Sequence, residues 1–191
     1  LRLHDTLLSN GIDSSVLALH GKCEGIQSCS LYKDLSHNIF EKLSVKIRRS
    51  YLKKTFQRKR LKIEADEIEH FSFLDTEYRI ERLGFLKSFD IIQLHWVSGF
   101  INFDTFFKYI DIPLIWYMHD MNPFMGGLHY QYDKISHNQL LLHLERKLVQ
   151  EKKNIYFNAG IKYAIGDSSK ITKQAIQSKV FPDETIFRTM N

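Results

Sequence analysis

The sequence predicts an α/β fold, a parallel sheet with helices on both faces, and three observations predict it. Apolar runs and helical patterns alternate along the chain, as repeated strand, helix, strand units require. Two of the runs, Asp90-Ile91-Ile92-Gln93-Leu94-His95-Trp96-Val97 and Pro113-Leu114-Ile115-Trp116-Tyr117-Met118, are nearly continuous in apolar residues, which suits strands buried on both faces. Between them, Phe103, Phe106, Phe107 and Ile110 fall at helical spacing within Asn102 to Ile110, a short crossover helix.

The remaining elements follow in order. Leu1, Leu3, Leu7 and Leu8 before Asn10-Gly11 predict an opening helix, Ser15 to Leu19 a short strand, and Gly21, Gly25 and Ser28 to Ser30 a loop. From Ile39 to Leu61 the apolar positions Phe40, Leu43, Ile47, Tyr51 and Phe56 keep helical spacing, with Lys42, Lys46, Arg48, Arg49, Lys53, Lys54, Arg58, Lys59 and Arg60 between them. The simplest reading lays that apolar stripe on the core and leaves the charges solvated. Contact with an anionic membrane surface is the second reading. Nucleic-acid binding is the third, and no nucleic acid is expected: there is no reading motif, and Glu64, Asp66, Glu67 and Glu69 follow at once.

Phe71-Ser72-Phe73 reads as a short strand and Glu77 to Leu86 as a helix. Asn138 to Lys152 reads as a plain surface helix, with Leu141, Leu142, Leu144, Leu148 and Val149 inward, Glu145, Arg146, Lys147 and Lys152 outward, and His143 structural. Ile161 to Ile165 is a further strand, Gly166-Asp167-Ser168-Ser169 a helix start, and Thr185 to Arg188 a last strand.

Length and charge bound the class. A chain of 191 residues with net charge +5 suits one domain that buries about 70% of its unfolded surface. No apolar segment reaches the length of a membrane span and no signal-peptide pattern opens the chain, so a soluble, cytoplasmic protein is expected, at most peripheral at the membrane's inner face. Cys23 and Cys29 make neither a disulfide framework nor a four-ligand zinc pattern and are expected as free thiols. The chain begins inside a helical pattern and stops just after a strand, so a fragment is expected.

Candidate chemistry gathers at strand ends, where open parallel sheets bind ligands. His119 and Asp120 end one run and His95 lies near the end of the other. Asn122-Pro123-Phe124 and Gly126-Gly127 are turn formers that let the backbone pass close to a ligand before His129 and Tyr130. Ser168, at a helix start, is placed to meet an anionic group. His95, His119, Asp120 and His129 have metal-binding atoms, but no HExxH-type spacing fixes two ligands on one element, and no metal is expected. Trp96 and Trp116 read as core rather than as sugar-stacking platforms. A hydrolase would need a nucleophile; GxSxG is absent, and neither cysteine stands in a strand-to-helix turn beside a histidine.

Several of these residues carry a resemblance. Arg2-Leu3-His4 with Gly11-Ile12-Asp13-Ser14, then Asp90-Ile91-Ile92 with Leu94-His95-Trp96-Val97 and Phe100-Ile101-Asn102, resemble the amino-terminal domains of the retaining glycosyltransferases of family 4, also called group 1. The most specific part is Trp116 with His119-Asp120-Met121, Pro123-Phe124, Gly126-Gly127 and His129-Tyr130. The resemblance, to enzymes of bacterial surface-polysaccharide synthesis, covers most of the chain.

It implies a Rossmann-like, three-layer domain, the acceptor side of a GT-B enzyme. Residues 1–191 would form that domain without its first strand and glycine-rich loop, and without the carboxyl-terminal donor-binding domain. The implied activity is transfer of a sugar from a nucleotide-sugar donor to a glycan or lipid-linked acceptor with retained configuration. His119 matches the histidine of the family's HD motif, beside the transferred sugar. Asp120 would orient it or cap the following turn, His95, Gly126, Gly127 and Ser168 would meet substrate, and no cofactor is expected. Leu128 and Tyr132 stand where relatives often carry cysteines, against a metal-supported loop. By itself the chain is expected to turn nothing over, and contact with a membrane, the second reading of Ile39 to Leu61, would be peripheral. The alternative is a noncatalytic carbohydrate- or nucleotide-binding module.

Overall fold

The computed structural model describes residues 2–35, 39–63, 70–131 and 139–190, with the side chains of 56–63 left aside. The acidic cluster Glu64 to Glu69 and Tyr132 lie outside the described residues. The chain divides into two compact units, Leu1–Ser44 and Val45–Asn191.

In the first unit, helix α1 (Arg2–Ser9) leads into strand β1 (Val16–Ala18), which pairs in parallel with β2 (Cys29–Leu31). Ser28 to Ser30 was expected as loop; instead Cys29 and Ser30 pair with Val16 and Leu17. His4 is buried, its ring nitrogens at 2.9 Å from Ser14 Oγ and 2.8 Å from the Gln27 carbonyl oxygen, so it ties helix to loop. The expectation of free thiols fails, because Cys23 and Cys29 form a disulfide. The loop between them turns through left-handed backbone at Gly25 and Ser28, which brings the two Cα atoms to 5.4 Å, within bridging range. Spacing alone carried no sign of that reversal.

Helix α2 (Ile39–Ile63) begins in the first unit and continues into the second. The second unit is built on a four-stranded parallel sheet, β3 (Ile92–His95), β4 (Leu114–Met118), β5 (Ile161–Gly166) and β6 (Ile186–Thr189), adjacent in that order. Its helices are α3 (Phe103–Tyr109), α4 (Gln139–Phe157) and α5 (Ser169–Ser178). Asn102 caps α3 by accepting from the Thr105 N–H at 3.2 Å, and Ser168 caps α5. Two expectations are corrected here. Glu77 to Leu86 forms two short 3-10 turns, Ile80–Arg82 and Gly84–Ser88, in place of a helix. Phe71 makes only a single antiparallel bridge to Leu128.

Along β4, Leu114, Trp116 and Met118 are buried while Ile115 and Tyr117 between them are half-buried. Trp116 lies flat on Phe107 of α3, ring centroids 5.6 Å apart, and 5.4 Å from Tyr156 of α4. Burial along β4 is thus deeper on the face toward Phe107 and Tyr156 than on the other. The other face carries His95 and Tyr117, which the register places on adjacent residues. Among the described residues no helix is long and apolar enough to cross a membrane.

Candidate functional site

Strands β3 and β4 end side by side, and their register sets His95 opposite Tyr117. The imidazole of His95 stacks on the Tyr117 ring at 5.1 Å, and His95 Nδ1 lies 3.0 Å from His119 Nε2. A hydrogen bond between two ring nitrogens needs one to donate and one to accept, so the pair as placed carries at most one positive charge. Both rings have exposed edges. Partial burial of His95, with His119 alongside, lowers its pKa from 6.5 to about 4, so His95 is neutral near pH 7.

The chain then turns through 119–129. Asp120 is buried and both its oxygens are engaged: Oδ1 accepts from the Asn122 N–H at 2.9 Å and Oδ2 lies 2.6 Å from His129 Nδ1. His129 is fully buried, and its Nε2 lies 2.8 Å from Ser72 Oγ. Asp120 thus caps the turn and holds His129 rather than His119. Asn122 donates from Nδ2 to the carbonyls of Gly127 and Leu128 and accepts from Ser98 Oγ at 2.8 Å.

The glycines were expected to offer their N–H groups to substrate. Instead the amides of Gly126, Gly127 and Leu128 all donate to the Glu145 carboxylate, at 2.5, 2.7 and 3.2 Å. Glycine is required here for close approach: a Cβ on Gly126 would fall 2.4 Å from the Glu145 carbonyl oxygen, and one on Gly127 2.2 Å from the Phe71 ring. Ser168 lies past the end of β5, where its Oγ accepts from the Ile171 N–H of its own helix. The structure brings His95 and His119 together; it places Asp120, Gly126 and Gly127 in the supporting loop and Ser168 on the neighbouring strand end.

The supports of the loop lie on α4, and there the sequence reading was wrong. Glu145 and Lys152, expected outward, are buried. Lys152 Nζ donates to the carbonyls of Asn122 and Met125 and sits 5.3 Å over the Phe103 ring. Burial lowers its pKa to about 7, against the opposing pull of Glu145 and Asp120. Tyr156 donates to the Pro123 carbonyl at 3.0 Å. A signal was present: Leu141, Glu145, Leu148, Lys152 and Tyr156 repeat at steps of four, three, four and four, a single helical stripe.

Trp96, expected in the core, is 50% exposed. It borders a small pocket with Ser98, Tyr117, His119 and Asn122, whereas Trp116 is core as expected. Among the described residues no cluster of three or more metal-binding side chains occurs. No protein-family model, no curated protein and no solved structure matches this chain.

Proposed function

We propose that this chain is the acceptor-side domain of a retaining glycosyltransferase, with His119 as the residue beside the reacting sugar. The observation that carries the reading is the His95–His119 pair: two imidazoles with exposed edges at the carboxyl end of a parallel sheet, over a braced loop. In the transfer, an acceptor hydroxyl oxygen bonds to the anomeric carbon, the bond from that carbon to the phosphate oxygen breaks, and the nucleoside diphosphate leaves with the electron pair and takes up the hydroxyl proton. A histidine that needs no fixed charge can donate to a sugar hydroxyl or to a phosphate oxygen at that point. Nucleotide-sugar binding would fall to a facing domain, and the implied setting is synthesis of a surface polysaccharide.

A lipid-linked acceptor fits the outer face of α2. Ile39, Phe40, Leu43, Ile47 and Tyr51 are 55–79% exposed, and at about 100° per residue they share a sector of about 120°. Lys42, Lys46 and Lys53, all exposed, run along one edge of it. Exposed apolar side chains beside lysines are what contact with an anionic lipid surface would use.

The test is release of nucleoside diphosphate by the complete protein, supplied with a nucleotide-sugar panel and a polyprenyl-phosphate-linked saccharide. His119→Ala is expected to abolish transfer with the melting temperature nearly unchanged. Unfolding of that variant would assign His119 to structure, and transfer at the parent rate would overturn the assignment.

A further inference from the structure

The indole of Trp96 is held in an unusual way. Its backbone φ is +29°, a region that bulky residues rarely enter and that persists only where surrounding structure enforces it. The ring stacks on His129 at a centroid distance of 5.4 Å and an interplanar angle of 28°. His129 is itself clamped by Asp120 and Ser72, so the indole rests on an imidazole that cannot turn away. One face of a flat ring is thereby covered, and with half its surface exposed the other face looks outward beside His119.

From this geometry we infer that Trp96 is a stacking platform for a pyranose ring, placed so that the hydroxyls of the same sugar reach His119 and Ser98. The inference rests on the glycosyltransferase reading and names the acceptor sugar as the occupant. The negative face of an aromatic ring attracts the polarised C–H groups on the apolar side of a pyranose, while the sugar's rim needs uncharged donors and acceptors. The pocket offers His119 and the Ser98 hydroxyl, and its one carboxylate, Asp120, is already engaged by Asn122 and His129. Its described lining includes no lysine or arginine, which the phosphates of a nucleotide would call for.

Binding to the protein is measured by tryptophan emission and by saturation-transfer NMR, with methyl α-D-glucoside, methyl α-D-galactoside, methyl α-D-mannoside and N-acetylglucosamine as probes. Trp116 lines the same pocket, so the emission change is assigned by comparing the parent with Trp96→Phe. At least one glycoside should shift the emission and receive saturation at its ring C–H protons. Trp96→Ala should weaken that binding at least tenfold, and Trp96→Phe, which keeps an aromatic face, by less. If no glycoside shifts the emission, if binding survives Trp96→Ala, or if uridine monophosphate alone binds, the platform is wrong. Glycoside binding through Trp96 in a complete protein that transfers no sugar would sink the transferase reading and leave the platform standing. Transfer with an unchanged acceptor KM in Trp96→Ala would do the reverse.

Discussion

Helices α2 and α4 are the longest in the chain, and they sort their residues in opposite ways. Helix α4 takes charge inside, with Lys152 fully buried and Glu145 nearly so, whereas α2 leaves Phe40 79% and Ile39 76% exposed. Residue type alone would have placed all four the other way. The difference lies in what each helix faces. Helix α4 lies under a loop whose backbone turns three N–H groups and three carbonyls inward, and unpaired polar groups there would cost more than the burial of side chains that satisfy them. The exposed sector of α2 faces no such backbone. Its inward side supplies Leu52, while Arg49 reaches out to Glu77 at 2.8 Å.

The comparison breaks most sharply at Lys152. Lys152→Met removes the donor to two buried carbonyls and the positive charge that offsets Glu145 and Asp120, so a loss of about 3–5 kcal/mol is expected in urea denaturation. Lys46→Met on α2 should stay within about 0.5 kcal/mol. Equal effects of the two would mean that Lys152 is solvated.

Next in size is Glu145→Gln, which replaces a charged acceptor of three amides by a neutral one. A loss of about 1.5–3 kcal/mol is expected, and in a double-mutant cycle with Lys152→Met the two losses should not add. Strict additivity would show that the two charges do not share the loop.

On α2 the effect should appear in binding and not in folding. Leu43→Glu with Ile47→Glu is expected to move stability by less than about 1 kcal/mol. The same pair should weaken sedimentation with vesicles of phosphatidylcholine and phosphatidylglycerol at least tenfold. A parent protein that ignores such vesicles would leave the exposed stripe without a lipid role.

The last effect is read in the pH profile and concerns His95. Its folded pKa of about 4 lies below the unfolded value, so on acidification the unfolded chain takes up the proton first. That costs stability progressively from about pH 6.5 down to about pH 4, with no further loss below. His95→Gln should flatten this part of the pH profile, and an unchanged slope would show that His95 is not held neutral.

Much of the fold was legible in the sequence. The apolar runs ending at His95 and His119 became β3 and β4, the phenylalanines between them became α3, and Ser168 caps α5 as its position before Ile171 suggested. Of the site, the meeting of two strand-end histidines could be foreseen, because consecutive parallel strands end at one edge. Other features could not. The carboxylate bound to Gly126 and Gly127 comes from a residue eighteen or nineteen positions away, and periodicity treats Glu145 as any surface glutamate. Trp96 sits in an apolar run, and nothing local announced that the backbone turns left-handed there and swings the indole outward.

The sequence by itself determined the strand, helix, strand order from β3 to β6, the cap of α5, and which residues share a face, since these depend on propensity and spacing within a few residues. Only the tertiary structure decided which face turns inward. It also decided the pairing of Cys23 with Cys29, the burial of Glu145 and Lys152, and the exposure of Trp96. The reason is physical: a buried polar group is tolerated only where a partner of matching geometry stands within about 3 Å, and such partners come from distant parts of the chain.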